Sequence, residues 1–379
     1  MPSGALADDD FDEQEWLRYV TYLQASLVTA DTEEFLAGQR VWFESNRTRL
    51  VAKFDEIVMS EGGTPNPLNN PYVTYQDRTG YGSIFAQQIF SPILERSLRA
   101  ASQLRFSLQQ PVVLVNAPNV DPSPSGLPST DKHILFIGQG TSSFCNYWSK
   151  IFAATIDAIA KIPEAERNDA ALILAVRGAP IIAPAIELLL RYVRSDSVLG
   201  FGELKHDPRL DAYRLELCNS METFIVGHEL GHFLLHERYP ETNGVPPGKT
   251  LKEMELHCDA LGFAICGAVG NAEGDETSVH LIGPLLLFYA LHLCDDIGHM
   301  VLERPPSTSE THPSNRERMH QLFSFADMVA PGGHLWGPLE EALSYASVLG
   351  SQVRLALFRA STGREPEDEE IAERLWPSR

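Results

Sequence analysis

Residues 224–237 read FIVGHELGHFLLHE, which sets three histidines and two glutamates among apolar residues at helical spacing. At its centre, HELGH, His228 and His232 lie four apart. On an α-helix that interval turns the chain by about 40° and advances it one turn, so both imidazoles can aim at one point. Such an arrangement suits zinc. Glu229 sits about 100° round from His228, within reach of a water beside such an ion, where a carboxylate can act as general base. A polar helix face with satisfied histidines is the plainer reading of the same residues, so the other donors decide.

Tetrahedral zinc with two histidines needs a third protein ligand. EMELHCDALGF, residues 253–263, supplies Glu255, with Asp259 one turn further on the same face. An outer carboxylate at Asp259 suits the task of holding an imidazole N–H and fixing its tautomer. His236 and His257 are the rivals. The first lies on a third consecutive turn, which diverges from a single metal point; the second faces about 200° away from Glu255.

The Glu-x-x-x-Asp arrangement after HExxH resembles the gluzincin metallopeptidases, whose third zinc ligand is such a glutamate. The metzincin pattern needs Gly at position 235 and His at position 238, where this chain has Leu235 and Arg238. A third motif, THPSNRERM at residues 311–319, carries His312, Pro313 and Arg318. It extends the resemblance to the CAAX prenyl endopeptidase family, in which a His-Pro is followed by an Arg six residues after the His. The resemblance implies a zincin-like fold and zinc held by His228, His232 and Glu255, with Glu229 as base. It further implies His312 as a donor to the oxyanion, and Arg318 as the group that orients the carboxylate network or a substrate carbonyl. An ordinary loop-helix junction, with Pro313 near the helix start, remains the alternative for His312. Members of that family are often membrane-embedded. Here the longest apolar runs, AALILAVRGAPIIAPAIELLL and LIGPLLLFYALHLC, fall short of about 18 uninterrupted apolar residues.

The surrounding elements follow from breakers and caps. Two helices are expected within 11–60, then a long Gly-, Pro- and Asn-rich loop and a helix over 83–105. That loop, containing NPLNNPYVTYQDRTGYG, is a candidate lining for a substrate cleft or a plain surface connection. PVVLVNAP and KHILFIGQG are the clearest strands, with NVDPSPSGLPST as a loop between them. HILFIG is the first candidate for an edge that an extended peptide could join, with VVLVN as competitor. AALILAV fits a strand or a buried helix equally. Helices follow over 144–161, 211–237, from Thr250 with its Glu253 capping partner, over 277–302, and from Ser314 with Glu317. A last amphipathic helix precedes a charged tail. The expected class is α+β and helix-dominated, with a small sheet and an active-site helix. The expected divisions are an N-terminal helical region (1–105), a catalytic domain (106–330) and a C-terminal helix and tail (331–379).

Composition limits the partners. A formal charge of −21 disfavours nucleic acid and anionic membranes, which would repel the chain. Five scattered cysteines without a C-x-x-C pair fit free thiols in a reducing compartment. The acidic start lacks a signal peptide's basic and apolar regions. These features lead to the expectation of a soluble, cytoplasmic zinc endopeptidase acting on a protein or peptide. A non-catalytic or latent metal-binding protein of the same fold is the competing reading. Oligomeric state is not legible.

Overall fold

The computed structural model describes residues 7–28, 30–118, 123–129, 131–195, 197–198, 201, 204–274, 279–303, 310–329 and 336–364. The charged tail from 365 onward lies outside the described residues. The chain opens with α1 (Ala7–Ser26), α2 (Ala30–Ser60), the single turn α3 (Pro71–Thr74) and α4 (Ile84–Gln103). Strands β1 (Val112–Asn116), β2 (Ser125–Leu127) and β3 (His133–Ile137) follow. Helices α5 (Gln139–Ala160), α6 (Asp169–Gly178) and α7 (Ile182–Ser195) lead to α8 (Asp211–Arg238) and α9 (Leu251–Glu273). The described chain finishes with α10 (Val279–Leu302), α11 (Asn315–Val329) and α12 (Trp336–Thr362). The architecture is helix-dominated α+β with a small mixed sheet.

Local chemistry starts several of these helices where the sequence indicates. At α9 the Thr250 side chain accepts from Glu253 N–H while the Glu253 carboxylate accepts from Thr250 N–H, a complete capping box. Ser314 and Glu317 make the same reciprocal pair before α11, at 3.2 and 2.8 Å. AALILAV resolves as helix: it lies in α6, which meets α7 at 79° across a short break.

The sheet order is β1-β3-β2, with β1 parallel and β2 antiparallel to β3. This corrects two expectations. HILFI is the central strand, buried at all five positions and paired on both sides, so it offers no free edge. The free edges belong to β1 and to β2, and β2 lies inside the supposed loop NVDPSPSGLPST. Three residues, one of them Gly126, carry no readable alternation.

Helix α8 runs through the core against α4, α5, α9 and α10, and its own middle is buried from Leu217 to Gly231 apart from Asn219. Helix α10 is long and apolar enough by composition to cross a membrane. It packs on α7, α8, α9, α11 and α12, which bury most of its apolar residues. A clasp joins sheet to helix. His133, fully buried at the start of β3, stacks on Phe233 of α8 with ring centroids 4.6 Å apart. Its Nε2 lies 2.8 Å from Glu237, whose carboxylate also accepts the N–H groups of Gln109 and Gln110. Ser129 N–H donates to His133 Nδ1, leaving Nε2 as the protonated nitrogen that donates to Glu237.

Candidate metal centre

Helices α8 and α9 touch backbone to backbone. A Cβ on Gly231 would lie 2.9 Å from the Cα of Cys258, and one on Gly227 would lie 2.9 Å from the Cα of Gly262. From the other side, a Cβ on Gly262 would meet His228 N at 2.9 Å. Each glycine inside a helix sacrifices about 1 kcal/mol relative to alanine. In return the helices approach closely enough for a short carboxylate on α9 to reach imidazoles on α8.

Glu255 does so. Its oxygens lie 3.4 Å from His228 Nε2 and 3.5 Å from His232 Nε2, and the two Nε2 atoms are 3.1 Å apart. Donors about 2.0–2.1 Å from a tetrahedral zinc stand about 3.3–3.4 Å from one another. The observed triangle matches that spacing, and the donor set of two imidazoles and a carboxylate suits zinc. Among the described residues these three form the group that could hold a metal ion. His257, by contrast, is exposed on α9, and His236 is not part of the group.

Behind the imidazoles stands a second layer. His228 Nδ1 lies 2.9 Å from Asp259 Oδ1, so Nδ1 donates to that carboxylate and Nε2 is the nitrogen that faces the centre. Asp259, fully buried, is gripped by Arg318 through Nε at 2.8 Å and Nη2 at 2.6 Å. The Arg318 guanidinium in turn sits 4.4 Å from the Phe288 ring centroid. Arg318 is thus bonded to the carboxylate behind His228. His312 stands at the rim, 57 % exposed, with Nε2 3.5 Å from Glu255 Oε1.

Glu229 is 6 % exposed and lies under the β2 edge. The N–H of Gly126 donates to it, and a Cβ on Gly126 would lie 2.9 Å from Glu229 Oε2 and 2.8 Å from the Phe233 ring. Sequence reasoning missed this contact; the glycine in SPSGLPS was its one trace.

Electrostatics follow burial and neighbours. Burial opposes charging of His228, but hydrogen bonds to Asp259 and Glu255 push its pKa up to about 9. Burial, then the adjacent His228 charge, brings His232 down to about 4. Burial raises Glu229. It also works against ionising Glu255 and Asp259, yet His228 holds the first, and Arg318 the second, below the usual carboxylate value. The NPLNNPYVTYQDRTGYG segment lies elsewhere, with Tyr81 C=O bonded to Asn116 on the β1 edge.

Compared with known proteins, the chain matches no family model, no curated protein and no solved structure.

Proposed function

We propose that the protein is a zinc-dependent endopeptidase. The observation that carries this reading is the convergence of His228, His232 and Glu255 at tetrahedral spacing, with a buried Glu229 one residue from the first ligand. Bound there, zinc would supply a Lewis acid that polarises a carbonyl and brings the pKa of a water toward about 7. Glu229 takes the proton of the attacking water and passes it to the departing amine. Desolvation, which raises the Glu229 pKa, makes it the stronger base. Asp259 holds His228 in the tautomer that binds metal, and Arg318 keeps Asp259 charged. His312 donates to the oxyanion of the tetrahedral intermediate, a role supported by its position at the rim, 3.5 Å from Glu255.

The substrate is an extended peptide that pairs with the free edge of β2, whose Gly126 already touches the base. Five free, buried cysteines support a reducing compartment, consistent with work in the cytoplasm. The test pairs metal analysis with proteolysis of an unfolded protein mixture, with and without chelator. Glu229→Gln should retain zinc and lose most turnover. Full turnover in that variant, or absence of zinc from the wild type, would overturn the reading.

A further inference from the structure

The β1 side of the sheet borders a cavity of about 230 Å³ that the metal centre does not use. It lies between α1, the 75–83 loop, the start of α4 and β1. Four buried oxygens of its lining have no hydrogen-bond partner: Gln24 Oε1, Tyr75 Oη, Asp77 Oδ2 and Asn116 Oδ1. Gln24 is 2 % exposed.

Their neighbours fix their orientation. Gln24 Nε2 donates to the Asn116 carbonyl at 2.7 Å, and Asn116 Nδ2 donates to the Tyr81 carbonyl at 2.6 Å. Both amides therefore have their nitrogens engaged and their oxygens left over. The loop is wound on the other carboxylate oxygen, Asp77 Oδ1, which accepts N–H groups from Thr79, Gly80 and Gly82 at 3.3, 2.9 and 2.9 Å. Oδ2 is the remainder. Burial, then the Asp77 charge, raises the Tyr75 pKa, so the phenol stays neutral. Arg78, the one cation of the lining, is paired to Glu13.

Buried acceptors without donors are costly, so this arrangement favours an occupant rich in N–H or O–H groups. A water offers two donors and no charge. A primary ammonium offers three and balances Asp77. Calcium takes six to eight oxygens and is held by sites rich in carboxylates, whereas the lining holds a single carboxylate, that of Asp77, beside four amides, three hydroxyls and a phenol. Val20, Leu114 and Ile137 supply apolar wall for a short alkyl stem. We propose that this cavity is a binding site for a small primary alkylammonium, with Asp77, Gln24 and Asn116 accepting its three N–H groups.

The test is calorimetric titration of the full chain with n-butylammonium chloride at constant ionic strength, with sodium chloride and calcium chloride as comparison arms. Saturable one-site binding of n-butylammonium is expected, weakened about tenfold or more by Asp77→Asn and by Gln24→Leu, with circular dichroism unchanged. If Gln24→Leu unfolds, Asp77→Asn decides alone, because it keeps an oxygen for the three loop N–H groups. No saturable heat, equal affinity in a folded variant, or saturation by calcium with n-butylammonium inert would overturn the assignment.

Discussion

Replacing Gly231 with alanine tests whether the spacing of α8 and α9 sets the metal centre. The new methyl would lie 2.9 Å from Cys258 Cα, 3.1 Å from its Cβ and 3.4 Å from its carbonyl oxygen. Carbon atoms pack comfortably at about 3.5–4.0 Å, so the helices must part by roughly half an ångström or more. Overpacking of this kind costs about 1–3 kcal/mol, while the Gly→Ala change inside a helix returns about 1 kcal/mol. The net loss should be no more than about 2 kcal/mol, and the protein stays folded. Glu255 lies three residues before Cys258 on the same helix and moves with it. Metal ligands tolerate displacements of about 0.2 Å, so zinc affinity should fall about 10–100-fold, the range seen when a ligand loses its support. Competition with a chromophoric chelator measures the affinity, and urea unfolding measures the stability. Gly38→Ala is the control: on α2 its Cβ meets nothing within 4 Å, so stability should rise slightly and zinc binding should not change. Unchanged zinc affinity in a measurably destabilised Gly231→Ala protein would refute the reasoning, because the helices would have parted without moving the ligand.

Arg318→Leu leaves Asp259 buried without its cation, and chemical denaturation should show a loss of about 3–5 kcal/mol; a loss below about 1 kcal/mol would mean the pair is not a buried one in solution. Gly126→Val places a side chain against Glu229 Oε2 and the Phe233 ring, so peptide hydrolysis should drop while metal content stays; loss of both together would count against a role confined to the base and the β2 edge. Burial lifts the Glu222 pKa to about 8, above the ordinary carboxylate value. The fold therefore favours its protonated form, and stability contributed at low pH is lost as pH rises from the ordinary value through about 8. Glu222→Gln should match wild type near pH 4 and exceed it above pH 8 by a few kcal/mol; parallel thermal-melting curves across that range would exclude the effect.

The sequence exposed the parts of the site that are local in the chain. His228 and His232 are one turn apart on one helix, and Glu255 is the fifth residue of the next helix, behind a complete capping box. Caps and i,i+4 pairs involve neighbours only, so spacing reveals them. Strand pairing is different. Whether HILFI has a free edge depends on where SGL pairs, and three residues within a Pro- and Ser-rich segment carry no period to count. The approach of α8 to α9 was written as Gly227, Gly231 and Gly262, but a glycine in a helix reveals its reason only when the opposing backbone is known. AALILAV is ambiguous because a short apolar run fits a helix and a buried strand alike; the helix it forms buries Leu172 and Val176 and leaves Leu174 exposed.

Helix α8 buries many ionisable groups in its middle, and the charge balance across the site shows what offsets them. Glu229, Glu255 and Asp259 are three carboxylates within one cluster, and Arg318 is the cation bound to it. With all three carboxylates ionised and both imidazoles neutral, the sum is −3 + 1 = −2. Burying such an excess is expensive unless something offsets it. In the metal-free protein His228 moves in that direction, its pKa pushed up to about 9 by the carboxylates around it. A proton there supplies one positive charge and engages Nε2, which the centre otherwise uses as a donor. His228, His232 and Glu255 could together hold a divalent ion, which would supply both charges. A monovalent ion would leave the cluster negative and a trivalent one would overshoot: Arg318 cancels Asp259, and the charge left on Glu229 and Glu255 is the one a dication would balance.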